Sequence, residues 1–152
     1  TEAALIWKGR KSAFGATGRI ADYICMDGTV PLGQLSHVLK ETSVIVAKYG
    51  LRVANVFHAG DGNMHPLILF NANDPDEAHK AELAGNDILK LCVDAGGCLT
   101  GEHGVGVEKR DLMTHQYAPA DLQQQMRVRS AFDPKWIFNP SKVFPLEGRP
   151  GK

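Results

Sequence analysis

Apolar positions along the chain recur at three to four residues in some stretches and at one to two in others, with glycine and proline between them. The clearest stretch is 74–95, where Ala81, Ala84, Ile88, Leu91, Cys92 and Ala95 form one stripe at helical spacing. Asn73 or Asp74 can cap this helix, Pro75 suits its first turn, and Asp76 and Glu77 favour its positive end. Gly96-Gly97 then stops it. A second helix is predicted after Pro31, with Leu32, Leu35, Leu39, Thr42 and Val46 on one face and Gly50 as its stop. A third covers 121–132 and ends before Pro134. Segments 23–26, 52–58 and 64–70 have the β-branched and aromatic content of strands, and 98–100 is a short one. Pro66 predicts an edge or a bulge in the third of these. Residues 1–18, with Gly9, Gly15 and Gly18, read as loop or frayed helix. Strands alternating with helices, plus a hairpin-like pair around 58–65, predict an α+β fold with a mostly antiparallel sheet.

Composition narrows the function classes. At 152 residues and 16.5 kDa the chain suits a single domain over 1–152. A chain of this size can bury about 68–70% of its unfolded surface and needs no disulfide or metal staple. Seventeen cationic side chains against seventeen acidic ones give a formal net charge of zero. No basic stripe points to nucleic acid and no polybasic cluster to a membrane surface. No apolar run approaches the roughly 20 residues of a spanning helix, and the first residues lack a signal-peptide pattern. Cys25, Cys92 and Cys98 form no CxxC, which favours reduced thiols and a cytoplasmic setting. The sequence starts at Thr1 rather than Met, as a piece of a longer protein would.

Two segments carry candidate chemistry. In His58-Ala59-Gly60-Asp61-Gly62-Asn63-Met64-His65 a helix would set the histidines about 10.5 Å apart along its axis, and two glycines oppose a helix. As a strand–turn–strand, the two imidazoles can face each other at the Cβ separation of about 4.5–5.5 Å of a cross-strand pair. A metal held at about 2.0–2.1 Å by imidazole nitrogens fits between them. An ordinary surface hairpin accounts for the same spacing. The second segment is Gly101-Glu102-His103-Gly104-Val105-Gly106. In extended chain Glu102 and His103 point to opposite sides, so the natural division makes the carboxylate a third ligand and leaves the imidazole as a base. A glycine-rich turn with solvated charges is the plainer alternative. His37, His79 and His115 read as surface histidines, and Cys92 as helix packing. There is no GxxxxGK[ST] loop, no GxGxxG fingerprint, no GxSxG elbow and no HExxH helix.

Taken together, HAGDGNMHP (58–66), GEHGVGVEKR (101–110) and FDPKWIFNPSKVFP (132–145), with WKGRKSAFGA (7–16) upstream, resemble the C-terminal part of FAD-linked oxidases of the vanillyl-alcohol-oxidase type. The resemblance is strongest to the branch that holds glycolate oxidase flavin subunits and the D-lactate and D-2-hydroxyglutarate dehydrogenases. It implies a ferredoxin-like cap domain, helices packed on one face of the sheet, and a C-terminal helical tail. It also implies an N-terminal FAD-binding domain that this sequence does not contain. In such relatives the residues matching His58, His65 and Glu102 bind a zinc-like divalent ion. The histidine matching His103 is the proposed base, and the arginine matching Arg10 holds the substrate carboxylate. Asn139, in the Asn-Pro turn, matches a segment that looks back at the flavin domain.

Three positions depart from the pattern. Cys25 stands where the 2-hydroxyglutarate enzymes have a substrate-binding lysine, Leu67 where they have an asparagine, and Ser141 where NPGK has glycine. The first two losses argue against a second carboxylate on the substrate. The resemblance thus implies oxidation of a small 2-hydroxy acid to a 2-oxo acid, with FAD and a divalent metal as cofactors. Its expected partners are the FAD-binding domain of the same protein and iron–sulfur or other electron-transfer subunits, through which it would meet a membrane peripherally. The residues alone leave two other readings open: a metal-dependent hydrolase using the same ligands, and a non-catalytic docking domain.

Overall fold

The computed structural model describes residues 1–146. Its helices are α1 (Glu2–Thr17), α2 (Leu35–Lys48), α3 (Pro75–Asp94), α4 (Met113–Gln116) and α5 (Pro119–Phe132). Its strands are β1 (Asp22–Cys25), β2 (Gly28–Thr29), β3 (Arg52–Asn55), β4 (Asn63–Met64) and β5 (Pro66–Phe70). All pairings are antiparallel, in the orders β1-β5-β3 and β2-β4. These are two halves of one path, because β1 continues into β2 and β4 into β5. The ladder is interrupted at Met26-Asp27 on one side and at His65 on the other. An isolated bridge joins Thr29 to Cys98 beyond β2. With α2 and α3 as crossovers, the order Cys98, β1/β2, β4/β5, β3 is the split βαβ arrangement of ferredoxin-like domains.

Helices α2 and α3 cover one face of this sheet. Val38, Thr42 and Val46 of α2 and Ala81, Ala84, Gly85, Ile88, Leu89 and Cys92 of α3 are buried there. They meet Met26, Met64 and Ile68 from the strands. Each large aliphatic side chain so buried contributes about 1.5–3 kcal/mol of transfer free energy. Gly85 lets α3 approach closely, since a Cβ there would lie 2.7 Å from Met26 Sδ. The caps are as the sequence predicts: Asp74 accepts from the Asp76 and Glu77 N–H groups, and Gly50 takes a positive φ of 72° after α2.

Several elements differ from expectation for identifiable reasons. Residues 2–17 form a regular helix, because Ala, Leu, Glu and Lys outweigh the roughly 1 kcal/mol that each of Gly9 and Gly15 costs. Phe14 of α1 reaches the other face of the sheet, where its ring lies 6.4 Å from that of His65. Pro66 opens a central strand rather than lying at an edge. Its carbonyl accepts from Met26 N–H, and the N–H it lacks would face Met26 O, which pairs with His65 Nδ1 at 3.1 Å instead. Leu32 is 59% exposed, since residues 32–34 form a separate 3-10 turn before α2. The segment 98–100 contributes one bridge and no longer strand. Among the described residues no helix is long and apolar enough to cross a membrane.

Candidate active site

The interruptions of the two central strands carry the site. After β3 the chain continues as a ragged hairpin, with Val56 N–H donating to His65 O (3.2 Å) and His58 N–H to Asn63 O (2.9 Å). A 3-10 turn at Ala59–Asp61 and Gly62 in the left-handed region (φ 67°) reverse it. A side chain at Gly62 would run into the Val30 carbonyl oxygen, so the turn demands glycine. In this register His58 lies opposite Asn63 and is a diagonal neighbour of His65, not its direct partner. The two rings still meet, 5.4 Å apart and edge to face.

The second segment does not run extended. It wraps around the carboxylate of Asp27, a fully buried residue. Asp27 accepts hydrogen bonds from Thr100 Oγ1 (2.6 Å), from Gly101 N–H (3.1 Å), Glu102 N–H (3.1 Å) and His103 N–H (2.9 Å), and from Lys109 Nζ (2.9 Å). Burial pushes this carboxyl up, but the Thr100, Lys109 and backbone hydrogen bonds win and hold it far below the ordinary carboxylate range. Gly101 sits flat against the Asn63 amide, where an added Cβ would come within 2.5 Å of Oδ1. Because the loop is wound, Glu102 and His103 both turn toward His65, against the alternation expected of extended chain.

The side chains converge on one carboxylate oxygen. Glu102 Oε1 lies 2.9 Å from His65 Nε2, 3.6 Å from His58 Nε2 and 4.0 Å from His103 Nε2. The His103 ring stacks on His65 at 5.1 Å. His65 is buried, whereas His58, Glu102 and His103 are about half exposed, so the cluster opens on one side. The other ring nitrogen of His65, Nδ1, lies 3.1 Å from Met26 O. A carbonyl only accepts, so Nδ1 carries the proton, and in a neutral ring the Nε2 lone pair then faces the carboxylate. Two lone pairs at that distance call for a cation between them, either a proton on Nε2 or a metal ion. The imidazole and carboxylate donors are of a kind that holds a divalent metal, with the Met26 carbonyl as outer support for His65; the ligand atoms of His65, Glu102 and His103 lie within 4.8 Å of one another, a group that does not include His58. Asp27 is close by, but its oxygens are taken by the five donors above.

Arg10, on α1, lies at the rim, with Nη2 3.5 Å from the carbonyl oxygen of Phe57, one residue before His58. Cys25 lines the same face, its Sγ within 4.8 Å of nitrogens of His65 and His103. Cys25 and Leu67 are direct cross-strand partners, so two of the three sequence departures fall on one spot. Asn139 is not brought to the cluster: it lies exposed in the tail with φ 41°. His37, His79 and His115 are all exposed and lie elsewhere, His115 against Asp94 at 2.8 Å. Asp27 and Lys109 escaped the sequence reading because their partners are 73–82 residues away in the chain. The run GEHGVGVEKR did contain Lys109, but nothing local marks it as buried.

The description "FAD linked oxidases, C-terminal domain" matches residues 1–143. The glycolate oxidase subunit GlcD of Escherichia coli strain K12 is 52% identical over 145 residues, which are 95% of this chain and 29% of that protein. GlcD of Bacillus subtilis strain 168 is 34% identical over 149 residues, covering 97% of this chain and 32% of that protein. A mitochondrial D-lactate dehydrogenase [cytochrome] of Kluyveromyces lactis is 34% identical over 149 residues, covering 93% of this chain and 25% of the dehydrogenase. The chain thus spans between a quarter and a third of the length of these relatives.

Proposed function

Because the chain belongs to the family of FAD-linked oxidase C-terminal domains, we propose that its histidine cluster is the substrate side of a 2-hydroxy-acid oxidoreductase of the glycolate or D-lactate type. The observation that carries the reading is the convergence of His58, His65 and His103 on Glu102 Oε1, with His65 oriented by Met26 O. His58, His65 and Glu102 would hold a divalent cation, zinc being the best match to two imidazoles and a carboxylate. Such a cation, when bound, polarises a hydroxyl oxygen and lowers its pKa. FAD, which another domain of the whole protein would mainly hold, would supply the acceptor for the hydride.

The remaining work falls to this chain's own side chains. Oxidation of the alcohol removes the hydroxyl proton and the α-hydrogen with its electron pair. His103 accepts the proton at Nε2, the nitrogen turned into the cluster. The Arg10 guanidinium, 3.5 Å from Phe57 O, pairs with the substrate carboxylate and fixes the α-carbon. The Cys25–Leu67 pair offers no cation to a second carboxylate, which supports a small monocarboxylic substrate. Asn139, exposed in the tail, is free to face the flavin domain. Relatives named as an oxidase subunit and as a cytochrome-linked dehydrogenase support electron transfer onward to partner subunits.

Metal content of the purified protein is the first test. Stoichiometric divalent metal, lost in His65→Ala, is the expected result. Metal-free wild-type protein, or a full-length Glu102→Gln enzyme with unchanged turnover, would overturn the assignment.

A further inference from the structure

Asp27 and Lys109 form the most buried ion pair among the described residues, with side-chain exposures of 0% and 3%. A buried pair of this kind is weak support for stability, since well-packed apolar residues in its place are often as good or better. Its value must lie in what it specifies. The other donors to Asp27 come from a single strap of chain, Thr100 to His103, and Thr100 Oγ1 also accepts from Gly104 N–H at 2.8 Å. That strap has glycine at both 101 and 104 and no helix or strand of its own. Left to itself it would sample many conformations. Its two functional side chains are half exposed and, beyond their contacts with His58 and His65, have little packing to locate them.

We propose that Asp27 and Lys109 are a positioning pair: the carboxylate is the peg around which the strap is wound, and Lys109 neutralises that peg so that it stays buried. Neither residue is a metal ligand. Asp27 lies with His65, Glu102 and His103 in one group of atoms within 4.8 Å, yet its acceptor capacity is spent on the strap and on Lys109. The pair acts through Glu102 and His103, so the proposal rests on the active-site reading above for its functional consequence, but not for its structural one.

Two readouts test it. The first is amide hydrogen exchange at residues 101–103, which requires no metal. Thr100→Val and Lys109→Met should strip protection from these amides while those of α3 keep theirs, and Thr100→Ser, which retains the hydroxyl, should preserve it. The second is zinc affinity by titration calorimetry. Loss of an outer-shell partner typically weakens a metal site about 10–100-fold, and that is the expected loss in Thr100→Val and Lys109→Met, with Thr100→Ser near wild type. The sign is informative for Lys109→Met. Were the lysine only a nearby charge, removing it would leave an extra negative group beside the site and tighten zinc. Tighter zinc, or unchanged exchange in Thr100→Val, overturns the positioning role. Should Lys109→Met fail to fold, the Thr100 variants decide alone. Absence of zinc binding by the wild type would defeat the metal reading, while the exchange data would still judge the pair.

Discussion

Cys25 and Cys98 are both free thiols, yet their surroundings give them different chemistry. Burial, and after it the Asp27 carboxylate, pushes the Cys25 thiol up to about 11. Burial alone pushes Cys92 to about 12, whereas Cys98 is exposed. The thiolate is the nucleophile, and a thiol of pKa near 11 is only about one part in 10,000 thiolate at neutral pH. Iodoacetamide at neutral pH should therefore label Cys98 well before Cys25 or Cys92, as peptide mass mapping would record. Equal rates at Cys25 and Cys98 would contradict the half-buried placement of Cys25 beside His65. At this scale the sequence was informative wherever a residue type and its near neighbours define the chemistry. His58, His65, Glu102 and His103 are legible because imidazoles and a carboxylate among glycines are unusual in a short span. Asp27 is not, because an aspartate before a glycine at a strand end looks like any turn. Its meaning comes from Lys109 and from a strap more than seventy residues on.

Elements were legible where one face is buried and the ends are marked. Helix α3 has both, with its Ala81–Cys92 stripe, its Asp74 cap and the glycines after it, and α2 nearly so. Helix α1 has neither a buried stripe nor a stop before Gly18, and its helicity rests on propensity, which Gly9 and Gly15 disguised. Pro66 misled because the edge rule assumes that no other donor reaches the carbonyl opposite, and here His65 Nδ1 meets Met26 O. The tail after α5 obeys different rules again. Trp136, Asn139, Ser141 and Val143 all have positive φ, between 41° and 70°. The segment is tied down by Asp133, which accepts from the Ile137 and Phe138 N–H groups, by Arg129 over the Trp136 ring, and by Val143 N–H to Gly106 O. Ser141, where the family's NPGK has glycine, has φ 66° and is exposed. A left-handed non-glycine residue costs roughly 1–2 kcal/mol, of which glycine's own chain entropy takes back about 0.5–1. Ser141→Gly should thus stabilise the protein by about 0.5–1 kcal/mol and raise Tm by roughly 1–4 °C, measured by thermal unfolding. The Arg110 bond to the Ser141 carbonyl involves only backbone at 141 and survives the change.

On the scale of the whole molecule, one fully buried carboxylate in the gap between β1 and β2 holds the strap that carries Glu102 and His103, so acid should act on stability and on the site at once. Asp27 and Asp133 are each pushed up by burial but held below the ordinary carboxylate value by hydrogen bonds, Asp27 by Thr100, Lys109 and the strap, Asp133 by the Phe138 and Ile137 N–H groups and Arg129. A carboxyl whose folded pKa lies below its unfolded value contributes stability that is fully present above the unfolded value, near pH 4. That contribution is lost as pH falls from there through the folded value, because the unfolded chain takes up the proton first. Urea unfolding in the presence of chelator should therefore show stability falling steeply below about pH 4. Asp27→Asn should be less stable than wild type at neutral pH, since Lys109 is then buried without its partner, and flatter in acid. The two curves converge as wild-type Asp27 is protonated. Asp133→Asn should flatten a separate share of the dependence, read best from Trp136 fluorescence because the bonds it breaks lie in the tail. A wild-type curve as flat as that of Asp27→Asn would mean that the strap is held by something other than charge. The winding of Glu102 and His103 toward His65 would then need a different cause.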